Sequence, residues 1–98
     1  MSLTAKDVAD SPGSHVVEIY AKTFCWYCRA ARRLLDAKGV QYHEINLGKE
    51  PARRVEMIER SLAATVPQIF IHGQCIGGYD ELKALEEKGL LDPMLKVG

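Results

Sequence analysis

Residues 22–29 read KTFCWYCR, that is Lys22, Thr23, Phe24, Cys25, Trp26, Tyr27, Cys28 and Arg29. Two thiols stand two residues apart, and what flanks them decides the fold. Before them, residues 15–21 (HVVEIYA) are apolar and rich in β-branched side chains, which predicts a strand. After them, residues 27–38 (YCRAARRLLDAK) set Cys28, Ala31, Leu34 and Leu35 at helical spacing, with Arg29, Arg32, Arg33 and Asp36 opposite. Gly39 supplies the stop. The thiol pair therefore sits where a strand hands over to a helix.

Working outward, residues 40–47 (VQYHEINL) alternate as a second strand does. Residues 50–62 predict a helix with Pro51 in its first turn and Val55, Ile58 and Leu62 along one face. Residues 66–72 (VPQIFIH) predict a third strand, which Gly73 and Gln74 turn into a short fourth strand at Cys75 and Ile76. Gly77 and Gly78 break that strand, residues 79–88 form a helix ended by Gly89, and the tail LLDPMLKVG adds a further turn. The order is β-α-β-α-β-β-α. It implies an α/β fold with a four-stranded mixed sheet flanked by helices, the hairpin forming an antiparallel edge.

The 98 residues make one domain, 47% hydrophobic and 27% charged, an ordinary globular composition. Formal net charge is zero, which gives no broad attraction to nucleic acid or to an anionic membrane. There is no apolar run of bilayer length. Residues 1–14 lack the apolar core of a signal peptide and read as a polar, flexible leader, their first few residues resembling a cloning remnant; the folded domain is assigned to residues 15–98. Three cysteines, an odd number, argue against a disulfide framework and for a reducing, cytoplasmic setting.

At the start of a helix Cys25 meets unpaired backbone N–H groups and the positive end of the macrodipole, with Lys22 adding charge nearby. Thiols so placed reach pKa values of about 3.5–7.5, against about 8.5 for free cysteine. Cys28, one turn on and facing inward, is expected to be less exposed and less acidic, placed to attack a mixed disulfide on Cys25. Two other readings compete. The pair could be inert and buried, or Cys25, Cys28, His72 and Cys75 could form a zinc site. A domain with a full α/β core has little need of structural zinc.

Three motifs in this order resemble a dithiol glutaredoxin: KTFCWYC after the first strand, Thr65-Val66-Pro67 before the third, and Gly77-Gly78-Tyr79-Asp80 opening the last helix. The resemblance spans about residues 15–96. It implies the thioredoxin fold and glutathione-dependent thiol–disulfide exchange, with Cys25 and Cys28 as the redox-active, catalytic pair. It also implies a cis Pro67 that exposes the Val66 backbone to an extended peptide. Gly78 would admit a close backbone, and Tyr79 and Asp80 would hold the γ-glutamyl end of glutathione, with Asp80 meeting its ammonium. Lys22 and Arg54 would meet the glycyl carboxylate, Arg53 being the neighbour with which Arg54 is easily confused. Thr65 and Tyr27 would line the groove.

The chain departs from the family's best-known motif by placing Trp26 where proline follows the nucleophile, which restores an N–H beside the thiolate. Some glutaredoxins without that proline form dimers around a [2Fe–2S] cluster through the first cysteine of each chain, so a cluster-binding dimer is the alternative. Otherwise a monomer is expected, with glutathione as co-substrate and glutathionylated or disulfide-containing proteins as partners. A redoxin driven by thioredoxin reductase is a third reading, which a charged glutathione groove opposes. Cys75 is expected to be a small buried hydrophobe, and His15, His43 and His72 receive no role. Arg29, Arg32 and Arg33 are expected to form a solvated helix face, able to dock acidic protein substrates.

Overall fold

The structure is a computed structural model that describes residues 15–96; the leader assigned to residues 1–14 and the last two residues lie outside them. The chain runs β1 (Val17–Ala21), α1 (Trp26–Ala37), β2 (His43–Asn46), a 3-10 turn (Pro51–Arg53) leading into α2 (Arg54–Ser61), β3 (Gln68–Ile71), β4 (Gln74–Gly77), α3 (Tyr79–Glu87) and α4 (Leu91–Leu95). The strands lie in the order β2-β1-β3-β4. β1 pairs in parallel with β2, which requires the α1 crossover between them, while β3 runs antiparallel to both β1 and β4. This is the α/β architecture with a mixed four-stranded sheet that the element order implied.

All five residues of β1 are buried, because this central strand is covered on both faces. Val17, Ile19, Ala21, Ile69 and Ile71 face α1, α3 and α4, where Cys28, Ala31, Leu35, Leu82 and Leu91 complete one core. Tyr20, Ile45, Leu47 and Phe70 face the other way and pack on Met57 of α2. Side chains alternating across the sheet thus feed two cores, and helices cover both.

Several boundaries move. The strands are shorter than their apolar runs, because Val16, Val40, Tyr42 and Val66 pack beside the first core without joining the ladder. The β3–β4 turn falls on His72 and Gly73, both at positive φ (52° and 79°), rather than on Gly73 and Gln74. The face of α2 also differs. Val55 is 61% and Leu62 89% exposed, while Met57 is fully buried. The 3-10 entry sets where the helix begins, and Leu62 ends it in a left-handed conformation (φ 60°) outside the packed face.

The second core carries a polar cluster that apolar patterning does not reveal. Glu18, 1% exposed, pairs with Arg60 at 2.9 Å. The Arg60 guanidinium lies 3.9 Å from the centre of the Phe70 ring and donates to the Tyr20 hydroxyl at 2.9 Å. Tyr20 in turn donates to Glu56, which Arg53 holds at 2.8 Å. Burial, and then the Glu56 carboxylate, push the Tyr20 pKa up to about 12. Across the sheet, Arg32 does not belong to a solvated face. It is half-buried and pairs with Glu44 of β2 at 3.3 Å.

Candidate active site

Cys25 is the N-cap of α1, in extended conformation (φ −124°, ψ 116°). Its Sγ accepts the backbone N–H of Cys28 at 3.2 Å, while its carbonyl accepts the N–H of Arg29 at 3.0 Å. A sulfur so placed faces the donor end of the helix, where negative charge is favoured. Cys25 is half-exposed and Cys28 is fully buried beside Ala31, Leu35 and Leu82. Burial, and then the Cys25 side chain, push the Cys28 thiol up to about 12. At neutral pH Cys28 is therefore a thiol. The N–H bonded to Cys25 Sγ belongs to Cys28 and not to Trp26, so the departure from proline leaves this contact untouched.

The turn before Cys25 is tied down from β2. Asn46 donates to the Thr23 hydroxyl at 2.9 Å and accepts the backbone N–H groups of Gly48 and Lys49 at 2.8 and 3.2 Å. Around the thiol, Phe24, Trp26 and Tyr27 are exposed.

A groove of about 260 Å³ runs between α1, the segment before β3 and the start of α3. It is lined by Tyr27, Thr65, Val66, Pro67, Gly78, Tyr79 and Asp80, together with Gln68 and Glu81. The Val66–Pro67 bond is cis, as the resemblance implied. Gly77, at φ +115°, could not carry a Cβ without meeting Glu81 at 3.0 Å. Gly78 faces the Pro67 carbonyl, 3.5 Å from where a Cβ would stand, so the two walls approach closely here. Gly78 caps α3 without a side-chain hydrogen bond, which leaves first-turn N–H groups facing outward.

Seven of the nine residues that the resemblance assigned to glutathione thus line one groove; Lys22 and Arg54 do not. Lys22 lines a neighbouring cavity with Thr23, Phe24, Asn46, Gly48 and Lys49. Arg54 is exposed at the start of α2, and Arg53 is engaged by Glu56 and, at 3.6 Å, by Glu50. Two groove residues were missed. Gln68, nearly buried, donates to the Thr65 carbonyl at 3.0 Å and so fixes one wall, and Glu81 sets a second carboxylate beside Asp80. A glutamine directly after Pro67, at the head of an apolar strand, was the available signal for the first.

The zinc ligands considered from spacing do not converge. Among the described residues no three His, Cys, Asp or Glu side chains gather as a metal site, and His72 sits exposed at the far end of β3, its Nε2 3.2 Å from the Lys96 carbonyl. All three cysteines are free thiols. Cys75 is half-buried against the second core, its Sγ 3.8 Å from the Gln68 amide oxygen, and burial raises its pKa.

Fold and site together define a thioredoxin-like protein with a surface thiol and a buried thiol one helical turn apart. Comparison with known proteins narrows the class. The sequence profile of the family described as Glutaredoxin matches residues 17–76. Glutaredoxin 3 of Escherichia coli is 54% identical over 80 residues, covering 82% of this chain and 96% of that protein. A glutaredoxin of Pseudomonas aeruginosa is 43% identical over 83% of this chain and 96% of its own. Among solved structures, the buckwheat glutaredoxin–glutathione complex aligns with a TM-score of 0.80 at 34% identity, covering 85% of this chain and 78% of that one. The chain belongs to the glutaredoxin family, glutathione-dependent thiol oxidoreductases, and is itself a thiol–disulfide oxidoreductase.

Proposed function

We propose that the protein reduces protein–glutathione mixed disulfides and protein disulfides with glutathione as its electron donor. The carrying observation is a half-exposed, N–H-bonded Cys25 at the start of the same helix whose Tyr27 lines the Tyr27–Asp80 groove. In the groove the Val66 backbone would pair with the cysteinyl unit of glutathione, and Thr65, Pro67, Gly78 and Tyr27 would shape its walls. Tyr79 and Asp80 would hold the γ-glutamyl end, with Glu81 adding charge for the ammonium. The glycyl carboxylate would reach beyond the groove, toward Lys22 or Arg54, neither of which lines it.

The Cys25 thiolate attacks the glutathione sulfur of a protein mixed disulfide. The S–S bond breaks, the protein thiolate leaves and takes a proton, and Cys25–S–S–glutathione forms. A second glutathione thiolate then attacks the bound glutathionyl sulfur, releasing glutathione disulfide and restoring the Cys25 thiolate. With an intramolecular protein disulfide, Cys25 forms a mixed disulfide with the substrate. Cys28 gives up its proton and attacks the Cys25 sulfur; the Cys25–substrate S–S bond breaks, the substrate thiolate leaves and takes a proton, and the resulting Cys25–Cys28 disulfide is reduced by two glutathiones, which depart as glutathione disulfide. The high pKa of Cys28 keeps it out of the first step. Three cysteines, an odd number, suit a reducing compartment such as the cytoplasm.

The test couples the reduced protein to glutathione and glutathione reductase and follows release of glutathione from a glutathionylated peptide. Fast turnover that vanishes in Cys25→Ser supports the reading, and negligible turnover by folded, metal-free protein refutes it. The cluster-bridged dimer would draw on the same Cys25, since buried Cys28 is not free to act as a ligand. A brown dimer from anaerobic purification would favour that alternative.

A further inference from the structure

A second depression at the start of α1 shares only Tyr79 with the lining of the Tyr27–Asp80 groove. A small cavity formed by Thr23, Phe24, Cys25, Trp26 and Arg29 opens at the nucleophile itself. Trp26 and Arg29 also line a larger cavity of about 340 Å³, which Ala30, Arg33, Leu34 and Tyr79 complete. Trp26, Arg29, Ala30 and Arg33 recur at helical spacing on one face of α1. Trp26 is 72% exposed, and among the described residues no carboxylate pairs with Arg29 or Arg33, whereas Arg32 is committed to Glu44. Tyr79 walls both grooves, its ring 6.4 Å from that of Tyr27.

We propose that this second groove seats the polypeptide flanking a substrate protein's glutathionylated cysteine, and that it prefers an extended segment with an apolar side chain and one or two carboxylates. The inference rests on the glutathione reading, under which the first groove is filled by the tripeptide and the protein bonded to its sulfur must lie outside that groove. The continuous route from Cys25 past Trp26 and Arg29 to Arg33 supplies such a place. The chemistry of the lining selects the occupant: an indole and Leu34 for an apolar group, two uncompensated guanidiniums for carboxylates. Because the whole chain carries no net charge, this attraction is local to the groove.

The test compares kcat/KM for two glutathionylated peptides, one with Leu, Asp and Glu beside the cysteine and one with Leu and two Lys, and for the mixed disulfide of free cysteine and glutathione. The native protein should prefer the acidic peptide about threefold to tenfold at low salt, with the preference shrinking as salt rises. Arg33→Glu should remove or invert that preference and leave the cysteine–glutathione disulfide within about twofold, and Arg33→Lys should retain most of it. A native enzyme active on all three substrates without preference overturns the docking proposal alone. So does an Arg33→Glu loss that is equal on all three. A native enzyme inactive on the cysteine–glutathione disulfide overturns the glutathione reading, and this proposal with it. A native dimer that Arg33→Glu dissociates assigns the groove to a second copy of the chain and also overturns it.

Discussion

The backbone N–H of Cys28 points at the Sγ of Cys25, 3.2 Å away, so the buried cysteine supports the exposed one through its main chain. Replacing the Cys28 side chain leaves that N–H in place. Cys28→Ser should therefore keep release of glutathione from protein mixed disulfides and lose the reduction of intramolecular disulfides. Cys25→Ser should lose both. Parallel assays on a glutathionylated peptide and a disulfide-bonded peptide decide it, and equal loss of both activities in Cys28→Ser would refute the division.

Trp26→Pro should fold with a stability change below about 1 kcal/mol, since the first helical position accepts proline and its N–H is not the one bonded to Cys25. Rates of Cys25 alkylation across pH should be close to those of the native protein. A large rise in the pH midpoint of alkylation would show that the Trp26 N–H matters in solution.

The Glu18–Arg60 pair should be costly to break from one side. Arg60→Met leaves the Glu18 carboxylate in the core and should destabilise the fold by about 3 kcal/mol, read from urea denaturation. The double variant Glu18→Leu with Arg60→Met should regain much of that loss. A single-variant effect under about 1 kcal/mol would mean that water reaches Glu18.

Stability should fall in alkali. Cys28 ionises near 8.5 when unfolded and at about 12 when folded, and Tyr20 near 10 when unfolded and at about 12 when folded. In both the folded state holds its proton longer, so their contribution is complete below the unfolded values. It is lost as pH rises from about 8.5 toward 12, by at most about 1.4 kcal/mol per pH unit for each group. Cys28→Ala should flatten the first part of this fall, and a flat native profile to pH 11 would contradict the assignment.

Gly77→Ala should destabilise by roughly 1–3 kcal/mol, because it adds a left-handed non-glycine residue and a Cβ 3.0 Å from Glu81. Gly78→Ala, whose Cβ stands 3.5 Å from the Pro67 carbonyl, should fold normally and instead raise KM for glutathione. Thermal melts beside glutathione titrations separate the two.

The strand–thiol–helix handover and the Gly77–Gly78 break before α3 were legible in the sequence because each is local: a few adjacent residues dictate a backbone shape; the cis bond before Pro67 was implied only by the resemblance. What depended on distant partners was not. Glu18 and Arg60 lie 42 residues apart, and a glutamate within an apolar strand announces an exposed side chain as readily as a paired one. Arg32 sits between two free arginines and differs from them only because Glu44 happens to face it. The buried face of α2 went astray because a helix entered through a 3-10 turn turns different residues inward.

Cys28 shares a packed layer with Ala31, Leu35 and Leu82, yet stands one turn from a sulfur at the surface. A Cys25–Cys28 bond would therefore join the reactive rim to the interior. The electron affinity of the dithiol would then be a mechanical property of the whole domain. Repacking Leu82, which is fully buried and lines no groove, should shift the reduction potential whenever it strains the oxidised and reduced forms unequally, by about 30 mV for each 1.4 kcal/mol of difference.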